Sequence, residues 1–120
     1  MPLQLRSLVR PSSELEVSLA DVPMPEPAAD EVVVRVEAAP INPSDLILML
    51  GPTDPASARY SGTPDRPVIT LPVSERAMPS LAARVGQSLP VGNEGAGVVV
   101  SAGSSAAAQA LLGRTVAILG

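Results

Sequence analysis

Cysteine, histidine, phenylalanine and tryptophan are all absent from the 120-residue chain, and a single tyrosine, Tyr60, is its whole aromatic content. Each absence removes a class of chemistry. Without cysteine there are no disulfides, and nothing points to an oxidising compartment. Zinc sites are built almost entirely from cysteine and histidine, so catalytic zinc is not expected. A hard cation such as magnesium could be held by carboxylates instead, but no Asp-rich cluster with the right spacing is present. Single strands of nucleic acid are held on aromatic platforms beside a basic groove. This chain has no such platform, and 8 Lys+Arg against 12 Asp+Glu give it a net charge of −4. Binding to a phosphate backbone is therefore not expected.

Long apolar runs are also missing. The stretch Leu46 to Leu50 is among the longest, far short of the roughly 18 residues that suggest a membrane span. The start, Met1-Pro2-Leu3-Gln4-Leu5-Arg6, lacks the apolar region of a signal peptide. The expectation is a cytoplasmic protein with no membrane partner. Its length suits one domain, and a core of Val, Leu, Ile, Ala and Met.

The local patterns predict mostly strands. Leu15, Val17 and Leu19 alternate with Glu14, Glu16 and Ser18, the mark of a half-buried strand. Leu3, Leu5 and Val9 repeat the pattern more weakly, and Pro11-Ser12-Ser13 supplies a turn, so a hairpin is expected over 3–20. Pro23, Pro25 and Pro27 cannot donate to a sheet ladder and predict an extended linker from Asp21 to Asp30. A β-branched run, Val32 to Val36, predicts the next strand.

Asn42-Pro43-Ser44-Asp45 has the form of a helix start: a capping side chain, a proline at the first helical position and an acid at the positive end of the dipole. A short apolar helix through Leu50 follows from it. Gly51 to Gly92 contains seven prolines in 42 residues and no sustained period, apart from a helix near Ser80 to Val85 ended by Gly86. It reads as a long insertion of the kind that forms active-site lids or subunit contacts. Val98-Val99-Val100 predicts a buried strand after the glycine-rich Gly92 to Gly97, Ser104 to Leu112 an Ala-rich helix, and Thr115 to Leu119 a last strand. No internal repeat is visible, which excludes a solenoid. This order suggests a mostly-β fold, an open antiparallel barrel with short helices, and not a doubly wound sheet.

Three stretches carry a family resemblance. They are Asp30 to Asp45, Pro90 to Gly103 and Gly113-Arg114-Thr115-Val116-Ala117. Together they resemble the GroES-like catalytic domain of the medium-chain dehydrogenase/reductase superfamily, over nearly the whole chain. In zinc-dependent members the places of Asn42 and Asn93 are held by a cysteine and a histidine, both metal ligands. The two amides make this chain similar to the zinc-free members, the quinone oxidoreductases and enoyl-thioester reductases, in which NADPH or NADH delivers hydride to a quinone or activated alkene. The resemblance implies a small quinone or enone substrate and a dimeric oligomer.

It also implies that residues 1–120 are the front part of that domain. The dinucleotide fingerprint needs a glycine-rich turn between a strand and a helix. Here the glycines from Gly92 to Gly97 precede a strand, so the Rossmann domain holding most of the cofactor is expected beyond Gly120, and this fragment alone is expected to be inactive.

Within the resemblance, Asn42 is the leading candidate for a catalytic and cofactor-binding residue, since its amide both donates and accepts; its plain role is the helix cap. Ser44 is either a cofactor contact or a first-turn residue, and Asp45 a structural partner for an amide or an arginine. Tyr60 is a candidate proton donor by analogy with the enoyl-thioester reductases. Its place inside the insertion favours a surface loop instead. Glu94 is either a general acid or a polar group holding a turn. Two other readings compete with the reductase: a free-standing GroES-like binding or assembly module without catalysis, and a folded pseudoenzyme.

Overall fold

The computed structural model describes residues 2–120. The fold is mostly β, with two antiparallel sheets and short helices. It divides into two compact units: the chain up to Val22 together with Asn42–Val91, and Pro23–Ile41 together with Gly92–Gly120.

The first unit holds a five-stranded sheet in the order β4-β5-β2-β1-β6. Strands β1 (Leu3–Arg10) and β2 (Glu14–Asp21) form the hairpin predicted by the alternation, paired from Leu3↔Asp21 to Arg10↔Glu14. The loop is Pro11-Ser12-Ser13, closed by the Ser13 N–H donating to the Arg10 carbonyl at 3.1 Å. Ser13 has φ of 62°, the left-handed residue a three-residue hairpin loop requires.

The stretch expected to be a long loop is largely sheet. Strand β4 (Arg59–Thr63) and β5 (Arg66–Pro72) form a second hairpin around Pro64-Asp65, and β6 (Ser88–Pro90) borders β1 on the far edge. The prolines concealed this, yet their positions fit a strand. Pro67 pairs with Gly62 of β4 below the span where β5 meets β2, and Pro72 pairs with Glu14 of β2 above the span where β5 meets β4. At each proline β5 therefore has a neighbour on one side only, so the missing donor interrupts no ladder. The helix expected near Ser80–Val85 is a 3-10 segment, Met78–Arg84, followed by Gly86 at φ 78°.

One face of this sheet carries the core. Directly opposed residues share a face, and Val9, Leu15 and Leu71 form one such row across β1, β2 and β5. With Val17, Val73 and Leu81 they make the buried cluster, packed by Met49 and Leu50 of helix α1 (Pro43–Leu50). Burying each of these aliphatic side chains contributes about 1.5–3 kcal/mol.

The second unit holds the sheet β3-β7-β8, formed by Val32–Ala38, Glu94–Ala102 and Thr115–Leu119. Strand β7 is longer than the expected Val98-Val99-Val100 because the glycine-rich stretch joins it. Gly97 lies opposite Val36, where a Cβ would run into the Arg35 carbonyl. The Ala-rich helix is shorter than expected. Helix α2 (Ala106–Gln109) is capped by the Ser105 hydroxyl, which accepts the Ala108 N–H at 3.1 Å. Leu111, Leu112 and Arg114 then donate three residues back, tightening the chain until the Gly113 N–H reaches the Val99 carbonyl at 3.0 Å. Val33, Val99 and Ala108 are the buried apolar residues of this unit. No helix among the described residues is long and apolar enough to cross a membrane.

Candidate functional site

Helix α1 begins where the sequence predicts. Asn42 is its N-cap, with extended backbone (φ −96°, ψ 154°), and Pro43 occupies the first turn. Asn42 and Asp45 form a capping box in which the Asp45 carboxylate accepts the Asn42 backbone N–H at 2.9 Å. This is the structural role foreseen for Asp45, with an amide as its partner. Asn42 is half-buried and Ser44 is exposed in the first turn. A cap uses the side-chain oxygen of Asn, whereas polarising a substrate carbonyl uses its NH2, so the two roles foreseen for Asn42 are chemically compatible. Leu46 and Ile47 are exposed on the helix, Ile47 at 71%.

The other end of α1 is fully accounted for. The last four carbonyls of a helix have no partner within it. Here the Ile47 carbonyl accepts the Gly51 N–H at 2.9 Å, Leu48 accepts Arg84 Nη2 at 2.9 Å, Met49 accepts the Ser7 hydroxyl at 2.9 Å and Leu50 accepts the Thr53 hydroxyl at 2.6 Å. Arg84 also donates to Ser7 Oγ at 3.2 Å. Burial lowers the Arg84 pKa from its ordinary value by disfavouring the charged form. Sequence inspection singled out neither Arg84 nor Ser7, since 77 residues separate them and neither sits in a motif.

Tyr60 lies on β4, a strand and not the surface loop its proline-rich surroundings suggested. The ladder places Tyr60, Ile69, Val17, Ser7 and Leu89 in one row across all five strands. Tyr60 thus shares the sheet face that carries Ser7, the partner of α1, but at the outermost strand and 78% exposed. Three inter-strand spacings, about 14 Å, separate its backbone from that of Ser7.

In the second unit the three motif stretches meet at one end of the sheet. Ala38 of β3, Ala96 of β7 and Ala117 of β8 are consecutive partners, and Gly95 lies opposite Ile118. With Ala39, Pro40 and Glu94 they line a shallow open cleft of about 390 Å³. The walls are mostly small and apolar, and the one ionisable group is Glu94, exposed at the start of β7. Just outside, the Asn93 carbonyl accepts the Gly120 N–H at 2.7 Å. The chain matches no family model and no curated protein.

Whether a nicotinamide dinucleotide fits can be judged from the donors present. Asn42 and Ser44 offer an amide and a hydroxyl at the exposed start of α1, the kind of groups that meet a carboxamide or a ribose. Gly92–Gly97 leads into β7 and not into a helix, so it does not form a pyrophosphate cradle. The donors suit the nicotinamide end alone.

Proposed function

We propose that the chain is the front part of the GroES-like catalytic domain of a zinc-independent, NAD(P)H-dependent reductase acting on quinones or activated alkenes. The observation that carries this reading is Asn42 at the cap of α1. There an amide occupies the place of a metal-ligating cysteine in the zinc-dependent relatives that the motifs resemble. Asn93, at the approach to β7 beside the cleft, stands likewise in the place of a histidine. The bound nicotinamide supplies the hydride in such a reaction. The contribution of this chain is to orient and to polarise. The Asn42 NH2 donates to the acceptor carbonyl, where negative charge grows as hydride arrives, and a fixed donor aimed at growing charge lowers the barrier. The Asp45 carboxylate holds the Asn42 backbone, which fixes the point from which the donor side chain reaches. Exposed Leu46 and Ile47 offer an apolar surface suited to a quinone ring or an enone chain.

The test is hydride transfer from NADPH to a quinone by the full-length gene product. Asn42→Ala is expected to lower turnover by about 10²–10³-fold, the usual loss for one oxyanion donor. Asn42→Ser retains a good capping side chain but no amide, and is expected to fold like the parent while losing turnover similarly. If no quinone or enone is reduced, or if both variants match the parent, the reading is wrong.

A further inference from the structure

We infer that Arg84 is a positioning residue for Asn42, acting through the last turn of α1; this rests on the reductase reading above. The helix has eight residues and buries none of them. Isolated helices of this length are unstable in water, so its position comes from the packing of Met49 and Leu50 on the core and from the bonds at its ends. At the start the capping box joins Asn42 to Asp45. At the finish, three carbonyls are held from outside the helix by Arg84, Ser7 and Thr53.

Arg84 is the member of that set that carries charge. The last turn of α1 has no basic residue of its own, and a cation is favoured beside the exposed carbonyls at the negative end of a helix dipole. Arg84 reaches it from the 3-10 segment, 36 residues along the chain. Its Nη2 donates to both the Leu48 carbonyl and Ser7 Oγ, and the Ser7 hydroxyl passes on to the Met49 carbonyl. Among the described residues no carboxylate pairs with Arg84, and its Nε is buried without a partner. A half-buried guanidinium with one helix carbonyl and a serine as its acceptors, and no carboxylate beside it, is there for the helix. The same fact gives the 51–92 stretch a role: through Thr53 and Arg84 it holds the end of α1.

The experiment compares Arg84→Ala, Arg84→Lys and, as a surface control, Arg76→Ala in the full-length gene product. Two readouts are needed. Hydrogen exchange of the α1 amides without ligand reports on the helix alone, and NADPH affinity reports on the nicotinamide contacts that Asn42 and Ser44 offer at its start. Arg84→Ala is expected to speed α1 exchange by about tenfold or more, as loss of charge-assisted bonds would, and to weaken NADPH binding by a similar factor. Millimolar guanidinium is expected to restore both. Arg84→Lys keeps the stem and the charge but loses the planar fork, and should fall between; it carries the test should the alanine variant not fold. Unchanged α1 exchange overturns the inference, as does faster exchange with NADPH affinity intact. A parent protein that binds no NADPH sinks the reductase reading itself, and the exchange data then judge Arg84's hold on the helix separately.

Discussion

The two units are stabilised by different means. In the first, a cluster of branched side chains, Val9, Leu15, Val17, Leu71, Val73 and Leu81, lies under one face of a five-stranded sheet. In the second, only Val33, Val99 and Ala108 are buried apolar residues, and the structure depends on backbone approaching backbone. Gly103 donates to the Glu31 carbonyl at 2.8 Å, and a Cβ on it would collide with the carbonyls of Ala28 and Ala29. A side-chain core tolerates adjustment among its members, whereas a close backbone contact has nothing soft to move. The lesson is that the same all-aliphatic alphabet yields one unit sensitive to volume lost and another sensitive to volume added.

The strongest way to break this contrast is Gly103→Ala. It should destabilise the second unit by about 4 kcal/mol, in the range of severe strain, with hydrogen exchange rising over 23–41 and 92–120 while β1 and β2 stay protected. The converse is Leu15→Ala, a cavity at a residue with no exposure. A loss of about 3 kcal/mol is expected in denaturant titration, with exchange rising in the five-stranded sheet first. If both variants loosen both units equally, the two are one cooperative structure and the contrast fails.

Ser7→Ala sharpens the comparison at a polar position. Ser7 is the buried polar residue of the core face, and its removal leaves the Met49 carbonyl without its donor, for a loss of about 1–3 kcal/mol. Double-mutant coupling with Arg84→Ala should show that the two act as one network. The next effect has the opposite sign. Ser13→Gly relieves a left-handed residue in the β1–β2 loop, and should raise stability by up to about 1 kcal/mol in thermal unfolding. The exposed pair Arg66–Asp21, at 2.9 Å, should contribute less than about 1 kcal/mol when broken.

Much of the fold was legible where the pattern was local. The alternation in Glu14–Leu19, the valine run of β3 and the start of α1 at Asn42 each depend on side chains a few residues apart. The 51–92 stretch was not legible. Its strands are short, and its prolines read as breakers until the ladder shows that Pro67 and Pro72 sit where β5 lacks one neighbour. For the candidate site the division is similar. Asn42, Ser44 and Asp45 were visible as a helix start, while Arg84 and Ser7 had no local signal at all.

By itself the amino-acid sequence determined the chemistry that is possible: no thiol or imidazole for a zinc ion, an aliphatic core, and amides at positions 42 and 93. It also determined the local conformations, because capping, alternation and proline geometry act over a few residues. Only tertiary structure decided that Arg84 ends the helix that Asn42 begins, that β5 accommodates two prolines, and that three separate motifs line one cleft. Those outcomes depend on pairings between residues far apart in the chain, which no local preference can specify.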